Sequence, residues 1–255
     1  MTEHAGSASH ADRGGSFRSI LVATDLSDGS DLLIHAAAEV AGRSGAALHV
    51  VHSADVLTAA APGTGRTFEE RVAWGEGAVD RQIGRVVPAG VRVDRHVGAS
   101  APDRTIMEQA DAVAADLIVL GPHVRGASGR FLGSTAEQVL GGAGVPCLVV
   151  RAPVQVPAHH VTAAVDPRHL VSAVLDAAVR WALLFGESRR PRLSALYITG
   201  DRSGGPPPAL TDALRDAVSR GGAGDRVDAA VEVRGTDVVE SILLFAEAEA
   251  SDLLV

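Results

Sequence analysis

The sequence predicts an α/β fold: a doubly wound parallel five-stranded sheet in the first domain, repeated incompletely in a second domain. Three observations support this prediction. Short apolar runs rich in Val, Ile and Leu alternate with longer segments of helical periodicity. Asp25, Ser53 and Gly121 each follow such a run, as expected at the carboxyl ends of buried parallel strands. Part of the first pattern then returns after residue 160.

The first copy is predicted to alternate strands with helices from its start to its end. Ser19–Thr24 is a β-branched apolar run that predicts a buried strand. Ser27 and Asp28 are candidate N-caps for a helix through about Arg43, whose apolar residues share one face. The elements predicted after it are strand Leu48–His52, helix Thr67–Val87, strand Val91–Val97, helix Ala101–Ala115, strand Asp116–Leu120, helix Ser134–Leu140 ended by Gly141-Gly142, and strand Pro146–Val150.

The second copy is recognised segment by segment. Val161–Asp166 resembles Ile20–Asp25, and helix Leu170–Phe185 resembles Leu32–Arg43. Leu193–Ile198 and Asp252–Val255 repeat Leu48–Ser53 and Asp116–Val119, respectively. This copy is expected to lack the glycine-rich loop, the last helix and the last strand. Its final strand is then an edge that exposes Leu253, Leu254 and Val255, so we expect a longer natural chain, or cover from the first copy or a partner.

These patterns divide the chain into a disordered tail (1–16), a first domain (17–151), a linker (152–160) and a second domain (161–255). The linker includes His159 and His160, which we expect to be solvated instead of binding a metal ion. His52, inside an apolar strand, is expected to be a hydrogen-bonded core or sheet-edge histidine.

Composition excludes several classes of function. The chain has 23 basic residues and all of them are arginine, which excludes a Walker A lysine and a Schiff-base lysine. A net charge of −8 argues against nucleic acid as a partner. Cys147 is the single cysteine, so no intrachain disulfide forms, and we expect it to be a buried core residue. No apolar run is long enough for a membrane span and no signal peptide is evident, so a cytoplasmic protein is expected.

The segment most informative about chemistry is the glycine-rich loop Gly121–Gly133 and the helix that follows it. Glycines let a backbone approach a ligand closely, and a helix N-terminus offers unpaired N–H groups with a partial positive charge. Ser134 or Thr135 adds a hydroxyl donor, so the segment predicts an anion site suited to phosphates. The same Gly-Ser-Thr step is also an ordinary helix N-cap, and this alternative stays open.

At three places the sequence resembles the universal stress protein family: VATDLS near the start, LHVVHSAD at the second strand, and DLIVLGPH…FLGSTAEQVL…VPCLVVR. The resemblance covers Phe17–Arg151, with a weaker copy over Val161–Val255. It implies a strand order of 3-2-1-4-5 and a site for ATP, AMP or a related adenine nucleotide. Gly121 then matches the first loop glycine and Gly133-Ser134 the final pair. Asp25 matches the aspartate near adenine, and Ser53 the position whose backbone meets the adenine edge.

The loop departs from the family pattern in two ways. Val124 stands where the pattern has its second glycine, and eight residues instead of nine separate it from Gly133. Gly126 and Gly129 are candidates to restore the missing flexibility. Three neighbouring side chains are candidates to face the phosphates: His123, Arg125 and Arg130. The sequence does not predict whether Mg²⁺ takes part.

Three functions remain open at this point. The leading one is a stress-response regulatory or protective module that binds ATP or AMP in the first copy, since the second copy keeps Asp166 without a phosphate loop. The second is a scaffold that has lost nucleotide binding and works by pairing. The family resemblance implies a homodimer through the fifth strand, Cys147–Val150, and the repeat also allows pairing between the two copies of one chain. The third is slow ATP hydrolysis, although no general base can be identified, and we therefore predict that the protein is not an enzyme.

Overall fold

A computed structural model describes residues 17–54, 67–122, 132–154, 156–186, 190–199, 205–235 and 237–255. The chain divides into two compact units, Phe17–Val154 and Gln155–Val255. Each unit has a parallel sheet of its own. Among the described helices, none combines the length and the apolar character that crossing a bilayer requires.

The first unit alternates strands with helices along the chain. Its sheet has the strand order β3-β2-β1-β4-β5, with all neighbouring pairs parallel, which confirms the predicted fold class and order. The elements are β1 (Ser19–Thr24), α1 (Asp28–Ser44), β2 (Ala47–Ser53), α2 (Phe68–Val86), β3 (Val93–Gly98), α3 (Pro102–Ala112), β4 (Leu117–Leu120), α4 (Ser134–Gly142) and β5 (Cys147–Val149).

Helices cover both faces of this sheet, which explains why its central strands are almost wholly apolar. Leu21 and Ile118 belong to a buried cluster with residues of α3 and α4, among them Ile106 and Val139. Ile20 and Val22 alternate with Leu21, so they point to the opposite face, and both are fully buried.

Two helix ends differ from the predicted ones for local reasons. The sequence predicts a helix through Ala115, but α3 ends at Ala112 because Ala114 has a φ of 47° and turns the chain toward β4. Gly141 and Gly142 are predicted to end the fourth helix, but they form its last turn. The predicted strand Val91–Val97 begins at Val93.

Cys147, predicted to be buried, is only partly so, although its burial raises the pKa of the thiol.

The second unit repeats the first seven elements of this order. Its sheet has the order β8-β7-β6-β9, which corresponds to β3-β2-β1-β4 and confirms the incomplete second sheet. The elements are β6 (His160–Val165), α5 (Val171–Phe185), β7 (Arg192–Ile198), α6 (Pro208–Arg220), β8 (Asp228–Arg234), α7 (Val238–Ala248) and β9 (Leu253–Leu254). Their core is aliphatic and includes Val161, Leu175 and Leu193.

The correspondence extends to individual hydrogen bonds. The Asp116 carboxylate accepts hydrogen bonds from the backbone N–H groups of Arg18 and Ser19, where β1 begins. Asp252 accepts from the backbone N–H groups of His159 and His160 where β6 begins, at 2.7 and 3.0 Å. Ala114 and Ala250, which precede these aspartates by two residues, both have a positive φ. The two units therefore share their backbone construction as well as their strand order.

Two expectations for the second copy are wrong in detail. His159 is exposed as predicted, but His160 is 4% exposed and is the first residue of β6. Its Nδ1 donates to the Glu249 carbonyl oxygen and its Nε2 lies 2.9 Å from Ser194 Oγ, so it is a structural residue of this core. Of the three residues predicted to form an exposed edge, Leu254 is exposed, whereas Leu253 and Val255 pack partly against the core.

Candidate functional site

The turn between β1 and α1 is organised around the Asp25 carboxylate. Its Oδ1 accepts hydrogen bonds from the Ser27 backbone N–H (3.0 Å), Ser27 Oγ (2.5 Å) and Ser30 Oγ (2.6 Å). Asp25 is nevertheless exposed, and Leu26 beside it has a φ of 64°. Asp25 therefore has a structural role in the turn that leads into α1.

Ser53 ends β2 and lies opposite Gly98 in the β2–β3 register. Its hydroxyl donates to the Ser100 carbonyl oxygen at 2.7 Å, and the next residue, Ala54, donates from its backbone N–H to the Gly98 carbonyl oxygen. The hydroxyl of Ser53 thus fixes the chain that follows β3. The family resemblance concerns the backbone of Ser53 and not this hydroxyl.

Gly121 follows β4 directly and packs against α1. A Cβ atom at this position would lie 2.8 Å from Leu33 Cδ1, well inside van der Waals contact. A larger residue here would therefore force the Leu33 side chain to shift, so the packing of α1 favours glycine independently of any ligand. From sequence, ligand approach is the reason for a glycine here, and nothing nearby in the sequence indicates the Leu33 contact.

The N-terminus of α4 follows Gly133, the N-cap residue, which has no side chain to accept hydrogen bonds from the first helical amides. Ser134 is exposed and Thr135 is partly buried in the first turn. This geometry is suited to an anion because first-turn N–H groups point along the helix axis toward the ligand. The loop candidates His123, Val124, Arg125, Gly126, Gly129 and Arg130 lie outside the described residues.

The sheet order brings Asp25, Ser53 and Gly121 to one edge. They follow β1, β2 and β4, and β1 lies between β2 and β4 in the sheet. The chain leaves β1 toward β2 on one side and later returns to β4 on the other, so this edge contains the topological switch point at which open α/β sheets bind ligands.

A buried polar group that is not predictable from sequence lies behind this edge. Gln82 of α2 is 2% exposed and donates to Asp31 Oδ1 at 2.7 Å. Arg85 also donates two hydrogen bonds to Asp31, and this pairing lowers the pKa of the Asp31 carboxyl. In the described ranges, no three His, Cys, Asp or Glu side chains are grouped so as to hold a metal ion.

The corresponding turn of the second unit is built differently. Asp166, the equivalent of Asp25, accepts two side-chain hydrogen bonds and a backbone hydrogen bond from Arg168, and its Oδ2 lies 3.2 Å from His169 Nδ1. Arg168 is the main reason why the pKa of Asp166 is well below its usual range. Residues of its own turn therefore engage this carboxylate.

Together, the parallel order β3-β2-β1-β4-β5 and the helices between its strands define an open, doubly wound α/β protein, a class of fold that binds ligands at the carboxyl ends of its strands. The model of the universal stress protein family matches residues 16–151, and the chain belongs to that family.

Relatives agree with this assignment. Universal stress protein A homolog 2 of Coxiella burnetii (strain RSA 493 / Nine Mile phase I) is 31% identical over 139 residues, which is 53% of this chain and 95% of that protein. The crystal structure of a universal stress protein from Archaeoglobus fulgidus DSM 4304 is similar over 92% of this chain and 85% of that chain. Its TM-score is 0.67 at 18% identity, which is a likeness of fold.

This chain is also similar to a structure of the universal stress protein from Archaeoglobus fulgidus in complex with dAMP. The similarity covers 52% of this chain and 97% of that chain, at 28% identity. Its TM-score of 0.41 is too low to support a residue-by-residue comparison.

Proposed function

We propose that the first unit binds one adenine nucleotide, ATP or AMP, and that the protein is a cytoplasmic stress-response regulatory or protective module and not an enzyme. The observation that carries this proposal is the convergence of Asp25, Ser53 and Gly121 at one sheet edge. Membership of the universal stress protein family supports the choice of ligand class.

In this proposal the two ends of the nucleotide contact different elements. Asp25 and the backbone of Ser53 bind the adenine end, whereas Gly121, Gly133, Ser134 and Thr135 lie at the phosphates. The loop residues His123, Arg125 and Gly126 complete the phosphate site. Because the chain has no lysine, the positive potential comes from backbone amides, the α4 N-terminus and arginine.

Isothermal titration calorimetry with ATP and AMP, combined with thermal shift, tests this proposal. Ligand at tenfold above its Kd would stabilise the protein by about 1.4 kcal/mol, which is a measurable rise in melting temperature. The absence of both binding heat and a thermal shift at millimolar nucleotide would contradict the proposal.

A charge substitution at the helix N-terminus tests the location of the phosphates. Ser134→Glu places a carboxylate where the phosphates are proposed to bind, while a negative charge in a first turn does not destabilise the helix itself. We expect ATP affinity to fall at least tenfold with little change in melting temperature. Gln138→Glu, exposed on the same helix, is the matched control and should leave affinity nearly unchanged. Equal losses from both substitutions would contradict this placement.

We also propose that the chain is a tandem pair of universal stress protein-like domains. The shared strand order and the matching Asp116 and Asp252 contacts support this, as does the fold similarity to the Archaeoglobus protein over 92% of the chain. The analytical ultracentrifugation mass would distinguish a monomer, in which the two copies pair within one chain, from a homodimer.

The alternative function is a dimerisation scaffold without nucleotide binding. Val124 at the second glycine position and the loop that is one residue short favour it. The two functions are separated by a variant that combines Val124→Gly with one inserted loop residue. Nucleotide binding by this variant but not by the parent would support the scaffold.

A further inference from the structure

A single buried amide connects α2 to the turn that carries Asp25. Gln82 Oε1 accepts a hydrogen bond from Thr24 Oγ1 at 2.7 Å, and its Nε2 donates to the Ser27 carbonyl oxygen at 3.1 Å and to Asp31 Oδ1 at 2.7 Å. These partners are the last residue of β1, the N-cap of α1 and its first turn. Gln82 therefore bonds to the chain on both sides of Asp25.

The turn held in this way has a conformation that its sequence does not favour. Leu26 has a φ of 64°, a left-handed value that is unfavourable for a residue with a branched side chain. Its backbone N–H donates to Thr24 Oγ1 at 3.0 Å, the same hydroxyl that donates to Gln82. Such a conformation persists where surrounding contacts over-determine it. Here the hydrogen bonds of Thr24 and Gln82 hold the turn from the side of α2, in addition to those that Asp25 accepts within the turn itself.

The second unit shows that the fold does not need this network. By the alignment of Asp25 with Asp166, Val165 takes the place of Thr24 and Ser172 that of Asp31. The α6 helix, which corresponds to α2, buries Leu210, Leu214 and Ala217 and contains no amide side chain. The same strand–helix arrangement therefore forms with an apolar residue at the strand end. The strand–helix arrangement alone therefore does not require the buried polar group of the first unit.

We propose that Gln82 is a positioning residue of the nucleotide site: through Thr24 and Ser27 it holds the turn in the conformation in which Asp25 binds the adenine end. This inference rests on the proposed function. Gln82 touches no ligand and acts only through the geometry of residues 24–27. It also makes α2 part of the site, because any movement of α2 relative to α1 would displace the turn.

Gln82→Met tests the role directly, because methionine has nearly the same length and forms none of the three hydrogen bonds. With folding checked by circular dichroism, we expect about tenfold weaker binding of both ATP and adenosine in calorimetry, roughly the effect of one lost hydrogen bond. The affinities for the two ligands should fall by the same factor because the defect lies at the adenine end. Gln109→Met, a partly buried position on α3, is the matched control and should retain the affinity of the unsubstituted protein.

A second variant keeps the proposal testable if Gln82→Met folds poorly. Thr24→Val introduces the residue type that the second unit has at the equivalent position, and it removes the hydrogen bond to Gln82 by changing the donor instead of the acceptor. The affinities for ATP and for adenosine should both fall, by similar factors. Unchanged affinity in Gln82→Met and Thr24→Val would overturn the role of Gln82, as would a loss confined to ATP or an equal loss in Gln109→Met. If the unsubstituted protein binds neither ligand, the proposed function fails instead.

Discussion

His49 and His96 lie on the neighbouring strands β2 and β3, with Nδ1 of His49 3.2 Å from Nε2 of His96. Burial is the main cause that lowers the pKa of each imidazole below the ordinary value of 6.5. The charge of Arg92 acts in the same direction on His49, whereas Asp94 opposes the shift in both rings. The pair is therefore neutral in the native state at pH 7, with one ring donating to the other.

This pair predicts a loss of stability in mild acid. Because the pKa values are lower in the native state, the unfolded chain binds more protons around and below pH 6.5, and the free energy of unfolding falls as pH falls through this range. Urea unfolding at pH 8, 7, 6 and 5 measures the slope. His96→Gln should flatten it, whereas His35→Gln, at an exposed position of α1, should not. An unchanged slope in His96→Gln would contradict the assignment.

At the scale of elements, the most informative comparison is between equivalent strands of the two units. Ile118 of β4 is fully buried beneath α3 and α4. The register of β9 against β6 makes Leu254 its equivalent, and Leu254 is 43% exposed. The same contrast holds on the helices: Ile106 of α3 is buried, whereas Ile242 of α7 is only partly so.

Matched substitutions at these two positions should have very different effects. Ile118→Ala leaves a cavity in a close-packed core and should lower the free energy of unfolding by about 2–5 kcal/mol. Leu254→Ala removes a side chain that is already partly in water and should cost less than about 1 kcal/mol. Urea denaturation of both variants provides the measurement, and losses of equal size would show that Leu254 is covered.

The elements were predictable from sequence because they depend on local periodicity, whereas the contacts behind the site were not. The run Ser19–Thr24 is predicted with the bounds that β1 has. By contrast, Gln82 bonds to Thr24 and Ser27 across 58 and 55 residues, and nothing near Gln82 in the sequence indicates those partners. The sequence places His160 in the linker because it precedes the apolar run that begins at Val161, whereas its burial depends on Ser194 and Glu249, far along the chain. The contacts proposed for Asp25, Ser53 and the loop remain predictions.

Across the whole molecule, the two units share a stabilising contact as well as their strand order. Asp116 and Asp252 each accept backbone hydrogen bonds at the start of the first strand of their unit. Each unit also has one tryptophan, Trp74 in α2 and Trp181 in α5, so each can be followed by fluorescence.

Asp116→Ala and Asp252→Ala should therefore destabilise their own units by similar amounts. Each substitution removes the acceptor of two backbone N–H groups, a loss of about 1–3 kcal/mol. Trp181→Phe leaves Trp74 as the reporter for Asp116→Ala, and Trp74→Phe leaves Trp181 as the reporter for Asp252→Ala. A clear loss in one unit with none in the other would contradict the structural equivalence of the two carboxylates.

We propose that one chain binds one adenine nucleotide, at the edge that carries Asp25. Calorimetric titration of ATP into the unsubstituted protein, Asp25→Ala and Asp166→Ala is the decisive measurement. We expect one site per chain, a loss of at least tenfold in affinity for Asp25→Ala, and unchanged affinity for Asp166→Ala, whose carboxylate is engaged by Arg168. Two sites per chain, no binding at millimolar ATP, or equal losses in the two variants would contradict it.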